Sequence, residues 1–472
     1  MKKLPHTGAL ILFSSQAVNA ALSTLVGLVL LRMMTVSDFG RFSAVLALAQ
    51  ILAGCVDSGM GQFVAKEIAR SSAYIAAELN QILTWRLLMI AVVCALAPLL
   101  ARLFLPASYG PLALAVIPAV QLLVMTDFFC WIYKGARRPA FCALLQILAP
   151  ALLLALCVIA LTRERQLFYV VAAHAAAGGL AVALGLWLVS RSLYALRLTA
   201  LPRSFFTQTL PTIYKLGGIL VLTMAFSRVD ILMVAHICGT VQAGLFGSVG
   251  RVLDGLRMIP TAAYGICLPI FSAVSREPQV LRQKFKAAYL LLLGLALFFC
   301  LTGFVCGEWL FVQILGPQYA ASVPFFKPLV WSGVFMFSNI LMFAIFYVLG
   351  NHRTPALGMA AGLGIEIVIN ALFLDRYGTM AAVWARLIAE GVIFSVYARE
   401  ILRRDILGAG DLILRPGLVI GVCLAVLGFT QEWPPAWRWV AGIAAVGTLA
   451  ALFYPVGTLL RREWSDLKNA FL

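Results

Sequence analysis

The sequence predicts an all-α polytopic membrane bundle of about 14 spans, built as two six-helix lobes with a C-terminal hairpin appended. Three observations predict it. Hydrophobic residues make up 62% of the 472 residues and charged residues only 12%, with a mean hydropathy of +0.97. No soluble domain of this length could dress its surface with so little charge. Apolar runs of about 18–25 residues recur along the whole chain, the length that crosses a bilayer as a helix. Lys and Arg also alternate between loops: 22 fall in the N-terminus and every second loop, against 8 in the other set.

The spans lie at roughly 8–31, 41–62, 82–105, 111–133, 140–161, 167–190, 209–235, 243–272, 286–307, 323–349, 355–375, 378–398, 412–430 and 436–460. Lys2 and Lys3 precede the first run, which is too long for a signal-peptide core and has no small-residue cleavage site after it, so it reads as span 1. The run at 323–349 is long enough to include an interfacial turn near Lys327 and Pro328. The expected divisions are a lobe at 1–190, a cytoplasmic interfacial linker at 191–208, a second lobe at 209–400, and 401–472 as a charged elbow, the last hairpin and a cytoplasmic tail. In the linker, Arg191, Arg197 and Arg203 alternate with Leu193, Leu196, Leu198 and Phe205, a pattern that suits a helix lying in the interface.

The Lys/Arg bias over short loops predicts a multi-pass membrane protein with both termini in the cytoplasm. The net charge of +17 then reflects topology and contact with anionic membrane lipids, and no nucleic acid is expected as a partner. Ten cysteines and four histidines show neither metal-ligand spacing nor a disulfide framework, so no metal or cofactor is expected. No extramembrane segment is long enough for a globular domain, which argues against an enzyme.

A faint repeat runs through the chain. Asp38-Phe39-Gly40-Arg41-Phe42-Ser43 enters span 2, and Ala243-Gly244-Leu245-Phe246-Gly247-Ser248 enters span 8 about 205 residues later. Gly135-Ala136-Arg137-Arg138-Pro139-Ala140 joins spans 4 and 5, and Gly350-Asn351-His352-Arg353-Thr354-Pro355-Ala356 joins spans 10 and 11 about 216 residues later. Copies offset by six spans share one orientation, related by an axis along the membrane normal, as in many transporters.

Ionisable residues inside spans are expensive in lipid and mark binding sites, ion paths or paired networks. Arg251, Asp254 and Arg257 share one face of span 8, spaced i, i+3, i+6. Arg228 and Asp230, two apart in span 7, point in different directions. Arg386 and Glu390 are i, i+4 in span 12, Glu366 is in span 11, and Asp57 and Asp127 lie in spans 2 and 4. Arg86 and Lys215, near span ends, could snorkel to the headgroups, Asp57 could bond locally beside Ser58 and Gly59, and Arg386–Glu390 could be a self-compensating pair. Arg228, Arg251 and Arg257 favour a hydrated cavity and an anionic guest, because a planar guanidinium donates in parallel to two phosphate oxygens.

On Asp38-Phe39-Gly40-Arg41-Phe42-Ser43, Asp57-Ser58-Gly59-Met60-Gly61, Glu67-Ile68-Ala69-Arg70, Arg228-Val229-Asp230, Ala243-Gly244-Leu245-Phe246, Leu268-Pro269-Ile270-Phe271, Asn370, Arg376-Tyr377-Gly378 and Ala381-Ala382-Val383, the chain resembles the bacterial O-antigen type polysaccharide flippases. These belong to the multidrug/oligosaccharidyl-lipid/polysaccharide exporter superfamily. The resemblance implies a V-shaped pair of six-helix lobes around a largely cationic cavity. It implies alternating-access translocation of undecaprenyl-diphosphate-linked glycan from the cytoplasmic to the periplasmic leaflet, in lipopolysaccharide biosynthesis. Arg251, Arg257 and Arg228, with Arg86, Lys215 and Arg386 as weaker candidates, would hold the diphosphate. Asp230, Asp254, Asp57, Asp127, Glu366 and Glu390 would tune them or carry a coupling sodium ion or proton. A polysaccharide polymerase and a chain-length regulator are the expected protein partners.

The nearest alternatives are a peptidoglycan lipid-precursor flippase and a cation-coupled small-molecule exporter of the same superfamily. The exporter should have a cavity rich in acids and aromatics, whereas six basic and six acidic residues lie within spans here, the basic ones concentrated in spans 7 and 8. A membrane glycosyltransferase or polymerase would need a longer outward loop, and a channel would not need a duplicated, charge-bearing architecture.

Overall fold

The computed structural model describes residues 6–70, 75–163 and 166–414, with single positions between 417 and 444. Among the described residues, fourteen α-helices follow one another: α1 (His6–Met33), α2 (Val36–Asp57), α3 (Met60–Arg70), α4 (Ile75–Phe104), α5 (Gly110–Gly135), α6 (Pro139–Arg163), α7 (Leu167–Ser192), α8 (Leu210–Ile237), α9 (Thr240–Ala273), α10 (Pro278–Trp309), α11 (Val323–Leu329), α12 (Ser332–Val348), α13 (Arg353–Tyr377) and α14 (Thr379–Arg403). Among the described residues, 11 helices are long and apolar enough to cross a membrane, or 12 when the bent pair α11–α12 is one span. These match the first twelve expected spans one for one. The 55° bend between α11 and α12 falls beside Lys327 and Pro328, where an interfacial turn is expected. The two expected spans at 412–430 and 436–460 lie almost wholly outside the described residues.

The second span is broken. Ser58 and Gly59 both take left-handed backbone angles, with φ of 38° and 87°, between α2 and α3. That turn is pressed against α8: a Cβ on Gly217 would lie 1.6 Å from the Ser58 carbonyl oxygen, so no larger residue fits there. In lipid, apolar burial alone does not bring helices together, and close backbone packing at small residues does.

The chain forms two compact units, Met1–Arg251 with Asn370–Thr379, and Val252–Ile369 with Met380–Leu472. In the first, α5 is the central helix, packed by α2, α3, α4, α6 and α7, with Phe128, Phe129, Ile132 and Tyr133 fully buried. In the second, α10 packs on α11 and α12, and the α14 residues Tyr397 and Ile393 lie over Gly358 and Gly362 of α13. Past α14, Asp405 and Asp411 are tied to Arg282 and Lys286 of α10 at 2.7 and 2.5 Å, and the Tyr289 hydroxyl donates to the Leu412 carbonyl. The charged elbow is thus clamped to one helix.

The interfacial helix expected within 191–207 does not form. Residues 194–202 are non-helical, and a short π-helical turn, Phe205–Thr209, leads into α8. Side chains of α4 take the backbone donors that a helix would have used. Arg197 N donates to Asn80 Oδ1 at 3.0 Å and Thr199 N to Thr84 Oγ1 at 3.1 Å, and Pro202 disfavours helix in the residue before it. Leu193, Tyr194, Leu196 and Leu201 pack instead against the first unit's core.

Two local features repeat. A Cβ on Gly40 would lie 1.9 Å from the Thr240 carbonyl oxygen, and one on Gly244 2.0 Å from that of Val36. Adding 204 to 36 and 40 gives 240 and 244, so the starts of α2 and α9 meet in a contact that maps onto itself. At the ends of α5 and α12 the same helix cap appears twice. Ala136, Arg137 and Arg138 N donate to Ile132, Lys134 and Tyr133 O, and Leu349, Gly350 and Asn351 N donate to Ile345, Tyr347 and Phe346 O. The offset here is 213, so the left-handed Arg137 corresponds to Gly350. The apparent match of Gly135 with Gly350 is out of register by two residues.

Candidate functional site

The in-span charges separate into two kinds. Arg86 of α4 is 1% exposed, and its Nη1 lies 2.5 Å from Asp57 Oδ1. Its Nη2 donates to the Val124 carbonyl of α5 at 3.3 Å, and the guanidinium lies 5.2 Å from the Phe128 ring centroid. Snorkelling to the headgroups is therefore overturned for Arg86, because a carboxylate, a carbonyl and an aromatic face hold it inside the unit. Asp57 likewise bonds across to α4, while Ser58 Oγ donates to the Cys55 carbonyl.

One turn beyond Val124 on α5, Asp127 has an exposed side chain. Asp57, Arg86 and Lys134 are the charged groups in electrostatic reach, and Lys134 is seated 4.2 Å from the Trp131 ring centroid.

The second unit holds a matching buried network. Arg386 of α14 is 7% exposed, with its Nε 3.2 Å from Glu366 Oε1 of α13. Glu390, one turn along α14, accepts from Asn339 Nδ2 of α12 at 2.9 Å. Arg386 and Glu390 thus each meet a partner on a neighbouring helix, Glu366 of α13 and Asn339 of α12. A buried ion pair survives in such surroundings only with hydrogen bonds to its remaining atoms.

Arg228, Arg251 and Arg257 belong to the other kind, since all three remain partly accessible inside membrane-length helices. On α8, Asp230 is buried, with Oδ1 accepting from Ile231 N at 2.7 Å, and Arg228 two positions earlier is half-buried. In the first unit, Arg251 lies along Gly27 of α1, its Cδ 3.5 Å from where a Cβ there would be, and close enough to His174 of α7 for their charges to interact. In the second, Arg257 Nε lies 3.4 Å from Met336 Sδ of α12. Asp254 is half-buried on the same helix. The Lys215 side chain lies outside the described residues; its backbone is in α8.

Sequence reasoning passed over Asn339 and His174. Asn339 is the lone amide in the apolar α12, a signal that could have been read. His174 Nδ1 donates to the Val170 carbonyl at 2.8 Å, and the ring packs against Phe42 with centroids 5.2 Å apart. Among the described residues, no three His, Cys, Asp or Glu side chains could hold a metal ion.

Residues 6–275 match the family model described as "Polysaccharide biosynthesis protein". No curated protein matches. Among solved structures, an inward closed conformation of the lipid II flippase MurJ superposes with a TM-score of 0.72 at 12% identity, covering 95% of this chain and 99% of that one. An inward-facing multidrug resistance MATE family transporter of the MOP superfamily gives 0.62 at 13% identity, covering 84% and 98%. A MOP superfamily transporter from Pyrococcus furiosus, described as having a binding pocket of reverse polarity, gives 0.58 at 14%, covering 86% and 99%. At these identities the likeness is one of fold.

Proposed function

The chain belongs to the polysaccharide biosynthesis protein family, and from that premise we propose that it is a flippase carrying a lipid-linked glycan across the inner membrane by alternating access. The observation that carries the reading is the sorting of in-span cations. Arg86 and Arg386 are buried, whereas Arg228, Arg251 and Arg257 keep accessible surface inside membrane-length helices, where an ionised side chain is costly unless it faces a cavity or a partner. Guanidinium groups held half-open in this way suit a diphosphate headgroup that arrives and leaves.

Two cargoes fit. An undecaprenyl-diphosphate-linked oligosaccharide of the O-antigen type follows from the family and from the sequence resemblance. The peptidoglycan precursor reading has the more direct support, because the lipid II flippase superposes over nearly the whole chain. We further propose the fourteen-span count, with both termini cytoplasmic from the Lys/Arg bias, and a six-plus-six division joined through 191–208, supported by the repeated contact and cap. A polymerase and a chain-length regulator fit the O-antigen reading as partners.

Binding of purified protein to undecaprenyl-diphosphate lipid with and without each glycan tests the headgroup assignment. Each of Arg251→Ala and Arg257→Ala should weaken binding roughly 10–100-fold, the loss of a charge-assisted hydrogen bond. Unchanged affinity in both would remove them from the site. The cargo with the tighter wild-type affinity decides between the two glycans.

A further inference from the structure

In the second unit α9 and α12 meet along a seam that runs in step. Arg257 Nε lies 3.4 Å from Met336 Sδ, and seven residues further along each helix the Tyr264 and Phe343 rings have centroids 6.0 Å apart, tilted by 42°. Seven residues fall about 20° short of two full turns, so Tyr264 stands on the same face of α9 as Arg257, about 10 Å along it. Thr261 lies between them on that face, its hydroxyl donating to the Arg257 carbonyl at 2.8 Å. Thr261 and Gly265 are exposed, Tyr264 is half-buried, and a Cβ on Gly265 would meet nothing within 4 Å. From Val252 to Ala273 only Pro260 and Phe271 are buried.

A face that carries Arg257 is costly to turn toward hydrocarbon, so the open step at Thr261 and Gly265 belongs with the cation and not with the bilayer. We propose that this step seats the first sugar of the cargo, the one bonded to the diphosphate, with the Tyr264 ring as its stacking surface. The inference rests on the flippase reading and on Arg257 as a diphosphate ligand. A pyranose presents a face of C–H bonds and a rim of hydroxyls. The slightly positive C–H face suits the negative face of an aromatic ring. The hydroxyls find partners in Tyr264 and in Tyr347 of α12, which is within electrostatic reach of Tyr264 and 47% exposed. Two helical turns match the reach from a phosphate, through its neighbour, to the centre of the attached ring, so one cargo can touch both Arg257 and Tyr264.

A sugar fits this step better than an organic cation. Aromatic faces attract cations too, but Arg257 on the same face opposes a positive guest and does not oppose a neutral ring tethered to phosphates. Gly265 points the same way. Glycine inside a helix is destabilising relative to alanine, and here no neighbouring backbone or side chain comes close enough to require it. The space it leaves open is on the side where the sugar would lie.

The test is a titration of the purified full chain with undecaprenyl diphosphate and with the same lipid carrying a single sugar. For the wild type the sugar should tighten binding about tenfold, the scale of one stacked ring and a hydrogen bond. Tyr264→Ala should lose that gain and keep the affinity for the sugar-free lipid, and Tyr264→Phe should retain most of the gain. Gly265→Leu, whose side chain enters open space, should lose the gain by filling the step. Either Tyr264→Ala or Gly265→Leu with the full gain intact would overturn the subsite. Equal weakening toward both lipids would also overturn it, since that is the mark of a packing role alone. A wild type that binds the two lipids equally well would overturn the subsite and leave the flippase reading standing, whereas a wild type that binds neither would overturn both.

Discussion

Replacing Arg86 by Ala removes a cation that is 1% exposed from beside a carboxylate only 24% exposed. Breaking a buried pair by removing one partner costs about 3–5 kcal/mol, because the survivor is left charged without compensation. Asp57 keeps some contact with its surroundings, which puts the electrostatic part at the lower end, near 3 kcal/mol. The vacated volume against Phe128 and the lost cation–π contact add about 1 kcal/mol more. The expected total is about 4 kcal/mol. Asp57→Ala alone should cost about as much by orphaning Arg86, and the double variant should cost less than the sum of the two by about 2 kcal/mol. Reversible unfolding in mixed micelles measures all four corners of this cycle. An Arg86→Ala protein within about 0.5 kcal/mol of its parent, the range of a surface change, would refute the pairing and restore the snorkelling picture.

Three further outcomes follow from the packing. Gly244→Leu should force α2 and α9 apart at the Val36 carbonyl and destabilise by at least the roughly 1–3 kcal/mol of an overpacked core, whereas Gly250→Leu on the same helix, with nothing within 4 Å, should not; unfolding midpoints compare them. Glu366→Gln should destabilise the second unit by leaving the buried Arg386 short of a counter-charge, by about 3 kcal/mol, and Arg386→Met in that background should recover part of it. Asn80→Ala should release the Arg197 amide and raise hydrogen exchange across 194–202 by about tenfold, with α4 itself unaffected.

Much of this was legible in the sequence because a bilayer imposes a simple rule. A spanning helix must be apolar for its whole length, so the first twelve spans could be placed, and the bend near Lys327–Pro328 anticipated, by counting. Partners were not legible. Asp57 and Arg86 are 29 residues apart on different helices, and Arg386 reaches Glu366 across to α13, so no local spacing announces either pair. The 191–207 stretch misled because alternating Arg and Leu read as amphipathic helix. Its backbone donors are in fact claimed by Asn80 and Thr84, more than a hundred residues upstream. The repeat was visible through Gly40 and Gly244, where backbone contact demands glycine, and was misregistered at Gly135, where the left-handed position is filled by Arg137 in one copy and Gly350 in the other.

The most direct test of the transport claim is a leaflet-exchange measurement in vesicles containing the purified protein and a fluorescent undecaprenyl-diphosphate glycan. Externally added quencher or glycosidase reports the exposed fraction over time. The wild type should bring the inner pool outward, the triple variant Arg228→Ala/Arg251→Ala/Arg257→Ala should be no faster than empty vesicles, and both should fold equally well. Equal exchange by the triple variant and the wild type would contradict the account, since accessible guanidinium groups would then have no part in moving the lipid.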